Sequence, residues 1–494
     1  MKVGVIVHPA PSSFGRRGVP ALALLALCLA GCALGPDFRR PDAPAGDRVV
    51  DTPSPDTLQV QGAGQRFDRG TDVPGRWWTL LGSEGIDRQV TEALARSPTV
   101  AAARATLHQS EDDLRAGYGV FYPQVGASLT AARQSSVTVL NHAPVSSGAY
   151  SLGTAAATVS YVPDLFGAQR RTVEALGAGV DEQRGNLQAA YLSLTANVVN
   201  AAIARAGYQA QRDALGEIIR IQADQVRIAE VQFQAGTAAY TAVVALRSQQ
   251  AANEASAAAL EQRIDQSDHL LAMLAGRTPA AAAPLRIPLD QLQLPPDLPE
   301  AVPSQLARHR PDIAIAEAQL HRASAQIGIA TADLFPTLTL GGTGGASHAA
   351  LADLLRSGTT FWSLQAQLAG SVFAGGAQWY GRRAAIDAYD ASLAGYEQAV
   401  LAALDQVADT ITALGHDAQS LRAQAAAQSA AAEALRLARI NYEAGTAGYL
   451  ELLSADTQYQ QARLAYLGAL AQRLQDTVAL YAALGGGWWN REGS

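Results

Sequence analysis

The chain has 494 residues, a formal net charge of −7 and only 6% aromatic residues. This alanine-rich, aromatic-poor composition favours long helices over a compact globule. The net negative charge and the lack of any basic stripe argue against nucleic acid as a partner, because binding to a phosphate backbone needs clustered Lys and Arg.

The first 31 residues have the layout of a secretion signal. Arg16 and Arg17 precede an apolar run over residues 21–30, which is too short to span a bilayer as a helix. The run ends in Leu29-Ala30-Gly31-Cys32, a pattern that resembles the bacterial lipobox. We therefore expect residues 1–31 to be removed and Cys32 to carry a covalent lipid. An ordinary signal with a chance cysteine is the alternative.

Two further observations follow from the cysteines. Ala33 stands after Cys32, where lipoproteins retained at the inner membrane usually carry Asp, so we expect sorting to the outer membrane. Cys28 is the only other cysteine, which excludes a disulfide framework or a thiolate metal site in the body of the chain.

Residues 32–75 are predicted to form an extended N-terminal arm. They are rich in Pro, Gly and Asp and show no periodic apolar face. Arg76-Trp77-Trp78 then begins a helical region that runs to about Tyr118. We expect a break near Ser97-Pro98, since proline suits the first turn of a helix.

Two β-hairpins are predicted, at about residues 123–163 and 336–373. In the first, a polar loop over residues 141–147 precedes a return strand from Tyr150 to about Val162. In the second, Trp362, Leu364 and Leu368 alternate with small or polar residues. A strand of about ten residues with one apolar and one polar face is typical of a barrel strand between lipid and water. By periodicity alone, a half-buried sheet of a soluble protein fits equally well.

A location in a membrane would constrain how these β-hairpins pair. After Cys32, no window of 18 or more residues is free of charged or strongly polar side chains, so we expect no transmembrane helix. Four strands are too few for a barrel, whose smallest transmembrane forms have eight. Open strand edges cannot lie in lipid, because each unpaired backbone group costs several kcal/mol. If the hairpins cross a membrane, several chains must share one barrel.

A long segment without proline follows each hairpin, over residues 167–236 and 376–445. A continuous helix of this length would reach roughly 100 Å, although lone glycines such as Gly185 and Gly415 weaken a helix locally. Each segment ends in Ala-Gly-Thr, at tips of about 235–238 and 444–447. There the glycine can take a left-handed C-cap conformation, and Thr237 or Thr446 can cap the returning helix.

The returning helices are predicted over residues 240–275 and 449–484. The second has apolar residues at alternating spacings of three and four, which is the heptad pattern of a coiled coil: Leu464, Leu467, Ala471, Leu474, Val478 and Tyr481. A Pro-rich, non-helical connector is predicted over residues 277–303 and a C-terminal tail over 486–494.

These elements occur twice in the same order. The segment that begins at Ser97 returns at Arg310, a shift of 213 positions (97 to 310), and the segment at Phe233 returns at Tyr442, a shift of 209 (233 to 442). The period is far too long for a solenoid repeat. The chain is therefore predicted to be mainly α with a small β part. Residues 76–276 and 304–485 are predicted to be two copies of one unit.

In this order the motifs resemble the outer-membrane factors of tripartite efflux systems, the TolC-like channel-tunnels, and among them the nodulation-type and OprM-like lipoproteins. The motifs are Cys32-Ala33-Leu34-Gly35-Pro36-Asp37-Phe38, Trp77-Trp78, Phe121-Tyr122-Pro123, Leu334-Phe335-Pro336, Asp164-Leu165-Phe166-Gly167, the two Ala-Gly-Thr turns and Ala482-Ala483-Leu484-Gly485-Gly486-Gly487-Trp488. The resemblance implies a homotrimer that forms a long α-helical periplasmic tunnel and shares one 12-stranded transmembrane β-barrel.

The resemblance also implies the function and the partners. The chain would be a passive outer-membrane exit duct for small toxic compounds. An inner-membrane pump, of the resistance-nodulation-division class, would drive it through a periplasmic membrane-fusion adaptor. Two alternatives remain: the outer-membrane channel of a type I protein secretion system, and a lipid-anchored periplasmic coiled-coil scaffold.

The resemblance assigns adaptor contact to the two tips, that is to Ala235, Gly236, Thr237, Ala444, Gly445 and Thr446. The alternative is that these residues are only helix caps. Twelve positions before each tip glycine lies an acid followed three residues later by arginine, in the pairs Asp224 with Arg227 and Glu433 with Arg436. We interpret these pairs, ~18 Å from the tip, as a candidate charged gate. Two solvated ion pairs are an equally good interpretation.

No enzymatic site is predicted. The eight histidines are scattered, with no metal-binding pair on one helix face, and no nucleophile elbow, P-loop or paired-carboxylate cleft occurs. The glycine run at 341–345 lacks a following helix with lysine. We therefore expect no catalytic residue, no metal and no cofactor other than the lipid on Cys32.

Overall fold

The computed structural model describes residues 33–42, 49–53, 58–60, 63–68, 71–140, 143–281, 284–300, 303–350 and 358–490. The signal sequence and Cys32 lie outside these residues. The protein is mostly helical (68%) with a small sheet part. It divides into two compact units, each discontinuous in sequence. The sheet unit contains residues up to 39, 111–179 and 320–392, and the helical unit contains residues 40–110, 180–319 and 393–494.

The helices follow the order expected of a duplicated chain. They are α1 Glu84–Arg96, α2 Pro98–Gly117, α3 Ala168–Gln234, α4 Tyr240–Leu274, α5 Pro303–His309, α6 Pro311–Ala332, α7 Ala377–Glu443 and α8 Tyr449–Ala483. The two long helices, α3 and α7, are 67 residues each, and the two returning helices, α4 and α8, are 35 residues each. The long and the returning helices of the two halves therefore agree in length as well as in order.

Glycines do not interrupt the long helices, and some of them lie where another segment comes close. A Cβ added at Gly185 would lie 2.7 Å from the Ile315 side chain, and one at Gly415 would lie 3.0 Å from Pro53. The absence of a side chain thus permits a close contact between segments.

Eight strands occur in the described residues. The short ones are β1 Gln59–Val60, β2 Ala63–Gly64, β3 Arg66–Asp68 and β6 Asp297–Pro299. The long ones are β4 Gln124–Leu140, β5 Ala143–Tyr161, β7 Thr337–His348 and β8 Thr360–Ala369. Strand β5 starts at Ala143 rather than at Tyr150, so the return strand was predicted too short. Its N-terminal part pairs with β4 up to Leu140, which shortens the expected polar loop.

The sheet unit is built on an open antiparallel sheet of β4, β5, β7 and β8 in that order. Its register aligns Val125 with Val159, Val159 with Gly342 and Gly342 with Leu364. The adjacent row consists of Gln124, Ser160, Gly341 and Gln365. One face is therefore apolar and the other polar, as the period-two pattern predicts. The apolar face is uncovered within the chain: Leu364 is 79% and Val125 74% exposed.

The core of the helical unit lies between α1, α3, α4, α7 and α8. It is a cluster of buried residues that includes Trp77, Val198, Ile203, Val407, Leu414, Leu474, Val478 and Tyr481. The Tyr481 ring stacks on Trp77 with ring centroids 5.6 Å apart. Three residues of the predicted heptad seam, Leu474, Val478 and Tyr481, are fully buried, and Leu467 and Ala471 pack against the same cluster.

The N-terminal arm is tied to the connector between the repeats. Strand β3 pairs with β6 in parallel, so that Arg66 aligns with Asp297 and Phe67 with Leu298. Arg66 Nε also lies 2.6 Å from Asp297 Oδ1. The connector is not continuous coil, since it contains β6 and short 3-10 turns at Pro279–Ala281 and Leu289–Gln291.

By length and composition alone, helix α3 could cross a membrane. It contains an 18-residue window with a mean hydropathy of 1.2, of which 39% is buried within the chain. Polar residues interrupt this run, and the sequence therefore predicts no transmembrane helix. Val198, Ile203 and neighbouring apolar residues of α3 belong to the core of the helical unit. Packing against other helices therefore accounts for this apolar stretch.

The heptad seam of α8 provides a stability test. Replacing Leu474, which is fully buried, with Ala should cost about 2–5 kcal/mol, because the side chain leaves a cavity in a close-packed core. The apparent melting temperature in detergent should fall by several degrees. Leu401→Ala is the matched control, since Leu401 is 62% exposed and its loss should cost within about 0.5 kcal/mol. Equal effects of the two substitutions would contradict the assigned core.

Candidate functional site

The two tips have the same backbone geometry. Gly236 has φ 72° and Gly445 has φ 71°, the left-handed conformation that ends a helix. In the first tip, Thr237 N donates to Gln232 O at 2.9 Å, and in the second, Thr446 N donates to Asn441 O at 2.9 Å. Residues 235–237 and 444–446 are exposed at both turns. The tips thus present short, side-chain-poor turns to their surroundings.

The two threonines cap the long helices and not the returning ones, so the predicted capping direction was wrong. Thr237 Oγ1 donates to Gln232 O at 2.9 Å, and Thr446 Oγ1 donates to Asn441 O at 3.0 Å. The N-cap residues of α4 and α8 are Ala239 and Gly448, which make no side-chain cap hydrogen bond. The carbonyl near the end of each long helix thus accepts from both the backbone N and the hydroxyl of the threonine.

The candidate gate residues form two local ion pairs. Asp224 Oδ1 lies 3.6 Å from Arg227 Nη2, and Glu433 Oε1 lies 2.6 Å from Arg436 Nη2. All four side chains are more than half exposed. A hydrogen bond from Arg436, reinforced by its charge, holds the pKa of Glu433 below its usual value. Exposed pairs of this kind contribute little to the stability of one chain.

The two acids nevertheless have different surroundings. Asp224 lines a cavity of about 260 Å³ between α3, α7 and α8, together with Arg439, Tyr442 and Tyr449. Glu433 is held in a bidentate contact by Arg436 Nε and Nη2 on its own helix. The duplication therefore places two acids at equivalent positions without giving them equivalent environments.

One equivalent pair near the tips has inverted charge. In the first helical hairpin, formed by α3 and α4, Glu230 of the long helix accepts a hydrogen bond from Arg247 of the returning helix at 2.5 Å. The same positions of the second hairpin, 209 residues on (230 to 439 and 247 to 456), hold Arg439 and Asp456. The Arg439 charge acts on the Asp456 carboxyl. Aligning the two repeats already shows Arg247 opposite Asp456; the structure adds that Glu230 is the partner of Arg247.

Asp456 belongs to a buried polar network between the two repeats. It is 1% exposed and accepts a hydrogen bond from Gln460. Asn253 Nδ2 of the first repeat donates to Gln222 Oε1 at 2.9 Å and to Gln460 Oε1 at 3.1 Å. Burial raises the pKa of Asp456, and the hydrogen bond from Gln460 partly opposes this effect. Such a network gives the two helical hairpins a specific register.

A second cavity, of about 670 Å³, lies between α3, α4 and the connector. Arg205, Arg212 and Arg286 line it with several acids. Arg205 Nε lies 2.6 Å from Asp268 Oδ1, and Arg212 Nη2 lies 3.0 Å from Glu261 Oε1. The chain itself neutralises much of this positive charge, so the cavity is not an obvious anion site.

In the sheet unit, Arg171 holds the start of the N-terminal arm. Its side chain is buried and donates to Asp37 Oδ1 and to Glu174 Oε2, both at 2.7 Å. His321 contacts the same glutamate at 3.0 Å and stacks on Phe38. Leu34 N donates to Phe166 O at 3.1 Å. The residues that follow Cys32 are therefore fixed at the junction of β5 and α3, while Cys32 itself lies outside the described residues.

No group of three or more His, Cys, Asp and Glu side chains suited to a metal ion occurs among the described residues. The features that the structure brings together are instead a two-faced open sheet, two long helical hairpins and two exposed turns. A solved structure of a known protein has the same arrangement. The fold resembles that of the outer-membrane channel OprN, with a TM-score of 0.84 and 27% identity over 92% of this chain and 100% of that one. The fold is that of an outer-membrane channel.

The sequence identifies the family. Residues 90–277 and 302–486 both match the family model described as outer membrane efflux protein. The chain belongs to this family of outer-membrane efflux channels, and the two matches correspond to the two halves of the duplication. The family is one of channel proteins and not of enzymes.

Individual relatives cover almost the whole chain. It is 29% identical to the outer membrane protein OprJ of Pseudomonas aeruginosa, over 95% of this chain and 96% of that protein. It is 25% identical to the toluene efflux pump outer membrane protein TtgC of Pseudomonas putida, over 97% of each. The chain is thus an efflux component of the outer membrane.

The tip geometry yields a test with an internal control. Replacing Gly236 and Gly445 with Ala should cost about 1–2 kcal/mol each, because left-handed backbone is unfavourable for an L side chain. Added Cβ atoms would meet nothing within 4 Å, so the cost is purely conformational. Amide hydrogen exchange in the turn peptides should become faster.

Gly448 is the matched control for that substitution. It lies in the same loop with φ −77° and equally open space, so Gly448→Ala should leave the exchange unchanged. The assignment fails if Gly448→Ala accelerates exchange as much as Gly445→Ala does.

Proposed function

We propose that three copies of this chain close one 12-stranded barrel in the outer membrane. The supporting observation is the four-stranded sheet with free outer edges at β4 and β8 and an uncovered apolar face. In lipid, unpaired backbone groups at those edges would be too costly, so the edges must pair with other copies. Three sets of four strands are compatible with the sizes of known transmembrane barrels.

In this assembly the chain is a passive exit duct for small toxic compounds. The names of its relatives, which include a toluene efflux pump component and a pyoverdine export protein, support small molecules over proteins as cargo. The chain would receive its substrates from an inner-membrane pump of the resistance-nodulation-division class through a periplasmic adaptor. The exposed turns at Ala235, Gly236 and Thr237, and at Ala444, Gly445 and Thr446, offer the adaptor two similar contact surfaces.

A covalent lipid on Cys32 would anchor each copy. The contact of Leu34 with Phe166 supports this proposal, because it holds the arm beside the end of strand β5. The acyl chains would then start at the level where the sheet begins. Mass spectrometry of the mature N-terminus tests the modification directly.

The barrel proposal predicts a defined oligomer with channel activity. Native mass spectrometry of the detergent-purified protein should give three copies, and the same sample should conduct ions in planar bilayers. A monomer without conductance would contradict the proposal and favour a periplasmic scaffold. Copurification with a type I secretion transporter after in-cell cross-linking would instead contradict the assignment to small-molecule efflux.

The candidate gate forms a separate prediction. In a trimer, Asp224 and Glu433 would contribute six carboxylates at about one level, each paired with an arginine. Replacing both with Lys turns each ion pair into a repulsion, so we expect a higher closed-state conductance and a changed ion selectivity in planar bilayers. Glu397→Lys, an exposed acid elsewhere on α7, is the control. Unchanged conductance and selectivity in the double variant would exclude this gate.

A further inference from the structure

Two half-buried carboxyl groups interact in the helical unit, where α7 and α8 pack together. Asp417 lies on α7 and Asp476 on α8, and Asp476 Oδ2 accepts a hydrogen bond from Gln472 at 2.9 Å. Asp417 Oδ2 is buried and finds no hydrogen-bond donor in the described part of the chain. Ionised carboxylates only accept hydrogen bonds. A proton shared with Asp476 is the simplest way to satisfy this atom.

The surroundings of Asp417 favour that proton. Burial, followed by the hydrogen bond and the negative charge of Asp476, raises the pKa of Asp417 to about 7, and the charge of Arg473 opposes this only in part. The ionised form is thus disfavoured in the fold. Because the folded chain binds this proton more tightly than the unfolded one, stability falls as the pH rises from the ordinary carboxyl pKa to about 7.

Arg473, next to this pair, holds the N-terminal strap, which we define as the described residues of 49–68. The arginine is fully buried. Its Nη1 donates to Leu414 O and its Nη2 to Gln65 Oε1, both at 2.6 Å. Gln65, itself 2% exposed, also donates to Thr477 Oγ1 at 3.4 Å. One guanidinium therefore joins α8, α7 and the strap.

The strap docks on the same part of the two helices through other contacts. Leu58 is fully buried in a small cluster with Ala418 and Leu421 of α7. Pro53 lies against Gly415. These contacts place the apolar part of the strap within one helical turn of Asp417.

The charged groups around the pair are few. Asp476 and Arg473 on α8 are the ones that act on Asp417. From the strap, the neutral amide of Gln65 contacts Arg473. The neighbouring Arg66 is paired with Asp297 of the connector. Helix α3 meets α8 there through Asn200 O, which accepts from Gln475. Both aspartates also act on the charge of Arg473, so the guanidinium is the group that a change in their ionisation affects first.

We propose that Asp417 and Asp476 form a proton-binding site that controls how firmly Arg473 holds the strap. With one proton shared, the pair carries a single negative charge, and Arg473 remains on Gln65 and Leu414. When that proton leaves, the two carboxylates repel each other and compete with Gln65 for the guanidinium. The strap then loosens from α7 and α8 in alkaline medium. All groups lie within one chain, so the inference does not depend on the proposed trimer.

Hydrogen exchange of the full-length protein in detergent tests the proposal. Exchange in strap peptides is compared between variants at the same pH, 6.0 and 8.5, so that the intrinsic pH dependence of exchange cancels. Asp417→Asn keeps the shape of the side chain and supplies a permanent donor to Asp476. At pH 8.5 the wild type should exchange severalfold faster in the strap than Asp417→Asn, and at pH 6.0 the two should agree.

Two further variants make the outcome decisive. Asp409→Asn, an exposed acid on the same helix, should behave as the wild type at both pH values. Asp476→Asn replaces the other partner and should also protect the strap at pH 8.5, which covers the case that Asp417→Asn fails to fold. Equal exchange of the wild type and the folded Asn variants at pH 8.5 would overturn the proposal.

Discussion

The structure depends on one requirement, that backbone groups must be hydrogen-bonded wherever water is absent. The four strands of the chain satisfy it internally but leave β4 and β8 as outer edges. The apolar face on Val125, Val159 and Leu364 makes water an equally poor environment for the sheet. Under the proposed trimer, a single chain therefore contains only part of the membrane structure. The long helices meet the same requirement without a partner chain, because their backbone hydrogen bonds form within each helix.

The duplication accounts for the repeated elements, and the differences between the two copies make the contacts between them specific. The helical hairpins α3–α4 and α7–α8 have identical lengths. If their surfaces were also identical, the two hairpins could exchange places. The inverted pair, Glu230 with Arg247 and Arg439 with Asp456, distinguishes them. The half-buried amide of Asn253 donates to the buried Gln222 and to Gln460, and Gln460 in turn donates to Asp456. Polar groups in a core impose a register, since a shifted arrangement would leave them unpaired.

Much of this architecture follows from local sequence signals. The absence of proline from 167–236 and 376–445 predicts both long helices, and the Ala-Gly-Thr turns predict both tips, because each signal acts within a few residues. The start of β5 at Ala143 could not be predicted in this way, since pairing with β4 and not local composition extends the strand. The direction of the threonine caps depends on which carbonyl lies near the hydroxyl. The roles of Asp417 and Arg473 depend on residues far away in sequence, such as Gln65, and a single sequence does not reveal that pairing.

The strap also has a consequence for the order of assembly. Gln65 of the strap lies 408 residues before its partner Arg473 and 412 residues before its partner Thr477. During synthesis and export the strap emerges before α8, and its docking site is complete only when α8 has formed. Contacts this distant in sequence form late, since the entropy of closing the loop must be overcome first. Docking of the strap would then report that α8 has formed, and a chain truncated before α8 would keep its strap undocked.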